Sequence, residues 1–201
     1  AWLNHKKDNK MKDVVRGSQI RLTAEEPALK ASAESRWSRN TTYHRLLDTD
    51  PQSLYSSKMA EKWWEKDIEK AAQGGLPEGF FFNIRTLPDE KLVGFVVLWG
   101  LEWAQGECTV SIALGEPEYW GKGLGTEAMR MILCYAFTEL NLHRVMLWVF
   151  GYNQRAIRSY EKAGFQKEGI LRELVAREGR RHDVHIMSIL RDEWLAAEVH
   201  G

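Results

Sequence analysis

The first third of the chain predicts one strand and two helices, and apolar residues recur at helical spacing in the second of these helices. A short strand is predicted over 19–22 and a helix over 23–37, with Glu25 and Glu26 in the first turn of that helix. The segment 59–72 repeats apolar and aromatic residues among charged ones and predicts a second helix, which ends at the glycine pair 74–75. The chain is therefore expected to begin with one strand and two helices.

The next segments favour strands. The segments 80–85 and 92–99 flank a turn at residues 88–90 and predict a hairpin. The second strand is apolar on both faces, so we expect it to be a central strand of the sheet. The strand predicted over 108–114 carries large apolar residues on one face and small residues on the other. We expect a groove over the small face.

Strands and helices continue to alternate in the second half of the chain. After a Gly-rich turn at 121–125, apolar residues recur at helical spacing over 128–140 and predict a long helix. A strand over 145–150, which we expect to be buried on both faces, precedes a shorter helix that Asn153 opens as its N-cap and Gly164 closes.

Two strands over 165–175 and 182–190, which turn at residues 178–179, complete the pattern. No internal repeat, low-complexity tract or linker interrupts the sequence, so the order of elements predicts one mixed sheet flanked by helices. Residues 1–10 lack an apolar period and are interpreted as an extension, and residues 11–201 as a single domain.

Composition narrows the class of protein. The 201 residues include 28 acidic and 28 basic side chains, and 44% are hydrophobic, which is typical of one globular domain. Zero net charge argues against a nucleic-acid or membrane surface, because both need an excess of Lys and Arg. Cys108 and Cys134 lie in apolar segments, and no apolar run approaches the roughly 20 residues of a membrane span. A reducing, cytoplasmic location is expected.

The alternate glycines of the turn at 121–125 form a candidate anion site. Without Cβ atoms their backbone can present successive N–H groups, the following helix adds a partial positive charge, and Lys122 adds a full one, so phosphate or pyrophosphate is the expected ligand. The spacing does not fit a P-loop. A dinucleotide site would need an acidic residue about 20 residues further on, and none lies within 141–154. A turn that serves only tight packing stays open at this point.

Two motifs resemble the signatures of the GNAT superfamily of N-acetyltransferases. The stretch 120–125 resembles Q/R-x-x-G-x-G/A, with Trp120 in place of the usual Gln or Arg. The stretch 153–165 resembles N-x-x-A-x-x-x-Y-x-x-x-G-F and agrees with it at every defined position. The ending over 183–194 is similar to the subgroup that contains ribosomal-protein and diamine acetyltransferases. The resemblance covers about residues 18–195.

This resemblance implies a mixed α/β (α+β) fold, the GNAT fold, with a mostly antiparallel twisted central sheet, splayed parallel central strands and flanking helices. It also implies acetyl-CoA as co-substrate between the strands at 108–114 and 145–150, without a metal. The pantetheine arm is expected on the backbone of the first of these strands and the pyrophosphate on the Gly-rich turn. The cofactor-binding residues are then Ile112, Ala113, Leu114, Trp120, Gly121, Lys122, Gly123, Leu124, Gly125, Thr126, Asn153, Ala156 and Tyr160.

Tyr160 is the candidate general acid. It follows Asn153 by seven residues on one helix, so the two side chains share nearly one face, about 10 Å apart along the axis, and can touch one extended ligand. Transfer of acetyl from sulfur to nitrogen expels a thiolate, which a phenol that is neutral at pH 7 can reprotonate. A packing role is the alternative for a lone helical tyrosine, and the motif outweighs it.

The acceptor must present a neutral nitrogen, whereas an alkyl ammonium group has a pKa of about 10, so a base or a water chain is needed. Glu107, at the start of the strand that faces the groove, is the first candidate base, followed by Glu102 and Glu116. A solvated surface charge is the competing interpretation of each. His182 and His185 are three apart on a strand and point to opposite faces, so no metal site is expected.

The sequence thus predicts an acetyl-CoA-dependent N-acetyltransferase that acts directly in a ternary complex, because neither cysteine lies in a reactive motif. A non-catalytic acyl-CoA-binding sensor is the alternative from another class. The expected acceptor is a small-molecule amine or a protein N-terminus rather than a polyamine, because acidic and basic residues alternate in the acceptor half. An antibiotic acceptor and a homodimer stay open, and no nucleic-acid or membrane partner is expected.

Overall fold

The structure is a computed structural model that describes residues 13–24, 26–72 and 78–200. The predicted extension over 1–10, the glycine pair 74–75 and Glu25 lie outside the described residues. The elements in chain order are β1 (Ile20–Thr23), α1 (Pro27–Trp37), α2 (Thr41–Leu47), α3 (Ser57–Ala72), β2 (Gly79–Thr86), β3 (Leu92–Glu102), β4 (Glu107–Leu114), a 3₁₀ turn (Pro117–Tyr119), α4 (Leu124–Thr138), β5 (Arg144–Phe150), α5 (Gln154–Lys162), β6 (Gln166–Arg177), β7 (Arg180–Leu190) and α6 (Arg191–His200).

The strands of the described chain form one seven-stranded sheet in the order β1-β2-β3-β4-β5-β7-β6. Neighbouring strands run antiparallel except for β4 and β5. These two pair in parallel only at their first residues, from Glu107 opposite Arg144 to Thr109 opposite Met146, and then separate. The predicted mixed sheet with splayed parallel central strands is confirmed. The two strands leave a fork beside the C-terminal end of β4.

Helix α4 provides the main core against one face of the sheet. It is buried on nearly every side, and Met129, Ile132 and Phe137 have no exposed surface. Successive residues of a strand point to opposite faces, so the cluster that joins Trp37 and Tyr43 to Ala113 lies on the other face. Helices therefore flank both faces of the sheet, as predicted. Within the described residues, no helix is long and apolar enough to cross a membrane.

Helix α1 begins at Pro27, and the prediction that it starts at Thr23 is wrong. Thr23 is still part of β1, where it lies opposite Asn83 of β2. Proline suits the first turn of a helix because its missing N–H would have no partner there. The sequence pattern could not separate the end of the strand from the start of the helix.

One helix was missed by the sequence analysis, and one further prediction needs correction. Helix α2 was not predicted because it has only seven residues; Asn40 caps it by accepting a hydrogen bond from the Tyr43 amide. Strand β5 is not buried on both faces, since Trp148 is 57% exposed although Leu147 and Val149 are buried. An apolar side chain in sequence does not reveal which face the protein covers.

Candidate active site

A cavity of about 260 Å³ lies at the C-terminal end of β4, where β5 no longer pairs with it. Its walls come from β4, the Gly-rich turn, α5 and α2. The residues of the predicted cofactor set that line it are Ile112, Ala113, Leu114, Trp120, Gly121, Gly123, Gly125, Thr126, Asn153, Ala156 and Tyr160. The structure thus brings together two sequence motifs that are about 30 residues apart in the chain.

Two residues of the predicted set stand apart from this lining. The Leu124 side chain is buried in the main core. The Lys122 side chain is exposed, and its Nζ lies 5.5 Å from the centre of the Tyr119 ring. Neither observation concerns their backbone N–H groups, which were the predicted contacts, so their part in cofactor binding stays a prediction.

The Gly-rich turn leads into α4 through backbone conformations that favour glycine. Gly121 and Gly123 have φ values of 74° and 90°, in the left-handed region. Gly123 occupies the N-cap position and has no side chain with which to cap the helix. The first N–H groups of α4 therefore keep their hydrogen-bonding capacity beside the cavity, which suits a phosphate.

Helix α5 presents Asn153 and Tyr160 to the same cavity. The Asn153 side chain accepts a hydrogen bond of 3.2 Å from the Ala156 amide and so caps the helix, as predicted. Gly164, with a φ of 102°, follows the end of the helix. Burial raises the pKa of the Tyr160 phenol to about 12, so the hydroxyl keeps its proton well above neutral pH.

Glu107 is not among the residues that line the cavity, whereas Tyr160 is. Glu107 begins β4 at the opposite end from Ile112, and five residues of extended strand span about 17 Å. Its carboxylate lies 3.9 Å from the Arg144 Nε, and Glu102 is its neighbour on β3. The role of Glu107 as general base therefore stays a prediction, and its position on β4 adds no support to it.

Glu116, the third candidate base, binds two side chains of α1. Its carboxylate accepts hydrogen bonds from the Trp37 indole at 3.0 Å and from the Arg36 guanidinium. Burial alone would raise the pKa of Glu116, but these hydrogen bonds outweigh it and the pKa lies below its usual value. Glu116 is thus a stable anion with two partners, which is unsuitable for accepting the proton of an ammonium group.

Sequence reasoning missed several residues of the cavity wall. Helix α2, itself not predicted, contributes Tyr43, Leu46 and Leu47. Helix α5 adds Arg155, Ser159 and Lys162; those at 155 and 159 lie one helical turn apart and directly precede Ala156 and Tyr160 of the predicted set. None of the described lining residues is acidic. The cavity is therefore suited to an anionic ligand.

The two histidines of β7 do not form a metal site with neighbouring ligands. The His182 ring packs edge-on against Tyr152, with 4.9 Å between ring centres. Across the described parts of the chain, no group of three or more His, Cys, Asp or Glu side chains could hold a metal ion.

Comparison with known proteins finds similar sequences and structures. The model of the acetyltransferase (GNAT) domain matches residues 21–166. The probable N-acetyltransferase YjcK of Bacillus subtilis is 36% identical over 116 residues, which is 58% of this chain and 64% of that protein. Spermidine N(1)-acetyltransferase of Vibrio cholerae is 36% identical over 106 residues, or 53% of this chain and 61% of that protein. The chain thus matches less than two thirds of the length of these curated relatives.

A solved structure extends the similarity over most of the chain. The spermidine N-acetyltransferase of Vibrio cholerae, crystallised with CoA and spermine, has a TM-score of 0.75 and 28% sequence identity to this chain. The match covers 89% of this chain and 99% of that one. The described sheet and its flanking helices are thus shared with this structure.

Proposed function

This chain belongs to the acetyltransferase (GNAT) domain family, and from that premise we propose that it transfers an acetyl group from acetyl-CoA to a primary amine. The observation that carries the proposal is the cavity beside the β4–β5 fork, where the N-terminal turn of α4 and Tyr160 line one space. A phosphate site and a proton donor are the two groups that a thioester of CoA needs to bind and react.

The proposed cofactor position follows the cavity walls. The N–H groups of the turn over 121–126 hold the pyrophosphate, and the pantetheine arm lies along the backbone of Ile112 to Leu114, which β5 leaves unpaired at the fork. One acceptor at this edge is already in use, because the Trp120 indole donates a hydrogen bond of 2.7 Å to the Leu114 carbonyl. The pantetheine amides can therefore pair with the other backbone N–H and C=O groups of this strand edge.

Tyr160 acts as the general acid in this proposal. The neutral nitrogen of the acceptor attacks the thioester carbon, the carbon–sulfur bond breaks, and the thiolate takes the proton of the Tyr160 hydroxyl. The nitrogen loses one proton as the amide forms, and water carries a proton back to the Tyr160 oxygen. A phenol whose pKa is raised to about 12 is fully protonated at neutral pH and so is ready to donate. The proton of the acceptor ammonium leaves through water rather than Glu107, because Glu107 lies at the far end of β4.

The two cysteines support direct transfer without an acetylated enzyme. Cys108 and Cys134 are both buried and form no disulfide. Burial raises the pKa of Cys108 to about 12, so it remains a thiol and is a poor nucleophile. Buried cysteines that form no disulfide also support the proposed reducing, cytoplasmic location.

The proposed acceptor is a small-molecule amine or a protein N-terminus. A polyamine is the second candidate, because two of the similar proteins above are spermidine acetyltransferases. Several ammonium groups need several unpaired carboxylates, yet Glu116 and Glu178 beside α1 and α2 are each paired with an arginine. That pairing favours an acceptor with one amino group.

A coupled thiol-release assay tests the proposal against the acyl-CoA sensor. The full chain is incubated with acetyl-CoA and each amine of a panel, and free CoA thiol is measured beside calorimetric binding of CoA. Amine-dependent thiol release supports the transferase. Binding of CoA with no release for any amine supports the sensor, and failure to bind CoA contradicts both.

A further inference from the structure

We propose that Arg155 supplies a phosphate-binding side chain beside the Gly-rich turn, next to Trp120, which stands in place of the usual Gln or Arg of the signature. The inference rests on the proposed function, since it assigns a contact to the CoA that the cavity would bind. Trp120 stands where the signature usually has Gln or Arg, and Arg155 is its neighbour on α5.

Trp120 has no hydrogen-bond donor to offer a ligand. Gln and Arg carry several N–H groups, whereas an indole carries one. That single N–H is donated to the Leu114 carbonyl at 2.7 Å, which fixes the indole against the end of β4. The substitution therefore removes side-chain donors from the mouth of the phosphate site and leaves an aromatic surface in their place.

Arg155 lies on this aromatic surface. Its Cζ is 4.1 Å from the centre of the Trp120 ring, a cation–π contact. Such a contact uses the flat face of the guanidinium and leaves the N–H groups at its edge able to bind a planar or tetrahedral anion. The Arg155 guanidinium thus provides N–H donors beside the Gly-rich turn, where the Trp120 side chain provides none.

No carboxylate of the described chain competes for this guanidinium. Arg155 has no ion pair or side-chain hydrogen bond with the described residues, unlike Arg36, Arg45 and Arg144, which each bind a glutamate. Burial of part of its side chain lowers the pKa of Arg155, as expected for a cation without a counter-ion. An external anion is the partner that this arrangement lacks.

The neighbouring groups define that anion as a phosphate of CoA. Arg155 and Lys162 line the cavity together with the Gly-rich turn, and both are cations. The turn offers backbone N–H groups from the side of α4, while Arg155 reaches the same space from α5. CoA carries a pyrophosphate and a 3′-phosphate, and a guanidinium can bind either with the same bidentate chemistry.

Calorimetric titration with CoA and with dephospho-CoA tests the inference on the full chain. We expect R155Q to weaken CoA binding roughly 10- to 100-fold, because charge-assisted hydrogen bonds to the phosphate are lost. R158Q is the matched control: Arg158 is exposed on the same helix, does not line the cavity, and its loss is expected to leave affinity within about twofold. A loss confined to CoA assigns the 3′-phosphate, and an equal loss for both ligands assigns the pyrophosphate.

A rescue separates phosphate binding from a structural role of Arg155. The double variant W120R/R155Q restores an arginine at the usual position of the signature and is expected to recover at least tenfold of the lost affinity. R155K, which keeps the charge without the planar fork, is expected to fall between wild type and R155Q, and it replaces R155Q if that variant does not fold. Wild-type CoA affinity in the Arg155 variants overturns this inference alone, whereas a wild-type chain that does not bind CoA contradicts the proposed function itself.

Discussion

The hydroxyl oxygens of Thr126 and Ser159 lie 2.8 Å apart and hydrogen-bond across the cavity wall. Thr126 belongs to the first turn of α4, and Ser159 precedes Tyr160 on α5. One contact therefore joins the proposed phosphate site to the helix that carries the proposed acid. The two signatures, separate in sequence, form one wall because of this and the packing of Ile157 against the core.

Gly125 offers the cleanest test of the phosphate site. A Cβ added there meets Leu114 and Ser159 only at 3.7 and 3.9 Å, which are ordinary contacts, and its φ is not in the left-handed region. We expect Gly125→Val to fold normally and to raise the KM for acetyl-CoA at least tenfold, because the added bulk lies where backbone and pyrophosphate must approach. Steady-state kinetics and thermal unfolding measure the two effects.

Gly169→Ala is the control for this change, because nothing lies within 4 Å of a Cβ at that position on β6. Gly123 is a poorer test position, since its φ of 90° strains any other residue and mixes instability with lost binding. An unchanged CoA affinity in folded Gly125→Val, measured by calorimetry, would show that the pyrophosphate lies elsewhere.

Tyr160→Phe tests the proton donor. We expect kcat to fall roughly 10- to 1,000-fold while affinity for acetyl-CoA stays near that of wild type, because only the hydroxyl is removed. Tyr43→Phe is a matched control, since Tyr43 lines the same cavity from α2. If the Tyr160 variant turns over at the wild-type rate, Tyr160 is a packing residue and water is the acid.

The pH dependence of the wild type gives a second measure of the same role. The acid must be neutral to donate, and its pKa is raised to about 12 in the folded protein, so the active form persists up to that pKa. We therefore expect no loss of kcat between pH 8 and about 10 from titration of this group. A fall in kcat with an apparent pKa below about 10 that disappears in Tyr160→Phe contradicts the buried environment of the phenol.

Glu116→Gln tests how α1 is anchored beside the cavity. Burial opposes the charge of Glu116, but the hydrogen bonds from Trp37 and Arg36 lower its pKa in the folded state. Its carboxylate therefore stabilises the protein above its ordinary pKa, and that contribution is lost as pH falls from the ordinary pKa through the lowered pKa of the folded state. We expect Glu116→Gln to lower the free energy of unfolding by about 1–3 kcal/mol at pH 7 and to flatten its decline toward pH 4. Urea unfolding at both pH values measures this.

Glu118→Gln is the appropriate comparison, because Glu118 pairs with Lys91 at an exposed site. Its loss is expected to cost less than about 1 kcal/mol at pH 7. Equal effects of the two substitutions at both pH values would count against the buried role of Glu116.

Much of this fold was predictable because its elements have clear periods. The turn at 121–125, the helix after it and the cap at Asn153 follow directly from residue type, since glycine, apolar spacing and a capping amide each have a local physical cause. The family signatures then placed the cofactor residues, and most of them line one cavity.

The remaining parts depend on contacts that sequence does not show. Helix α2 is short, and its position over the cavity depends on distant bonds, such as that from the Tyr152 hydroxyl to the Arg45 carbonyl at 2.7 Å. The choice of Glu107 as base was limited for a related reason: its position on a strand was known, but not which end of that strand meets the cavity. Long-range packing decides both questions.

The hairpin between β6 and β7 holds α2 and its following loop in place. The Arg177 guanidinium donates to the Asp48 and Asp50 carbonyls, the latter at 3.1 Å, and Glu178 pairs with Arg45. We expect Arg177→Gln to raise the KM for acetyl-CoA about three- to tenfold with a smaller change in kcat, because α2 supplies part of the cavity wall. Arg180→Gln, a change in the same hairpin, is the control. Equal KM values in the two variants would contradict a role of the Arg177 hydrogen bonds in holding α2.

The acceptor is tested by kcat/KM for spermidine, for a peptide with a free N-terminus and for small mono-amines, all measured side by side. A polyamine has several ammonium groups, and each needs a carboxylate within a few ångströms to offset its loss of hydration. Around the described cavity the lining is not acidic, and Glu116 and Glu178 already bind arginines. We therefore expect the best mono-amine or peptide to exceed spermidine at least twofold. A kcat/KM for spermidine well above the other values overturns this preference. The acceptor would then be a polyamine, as in the names of the similar spermidine acetyltransferases.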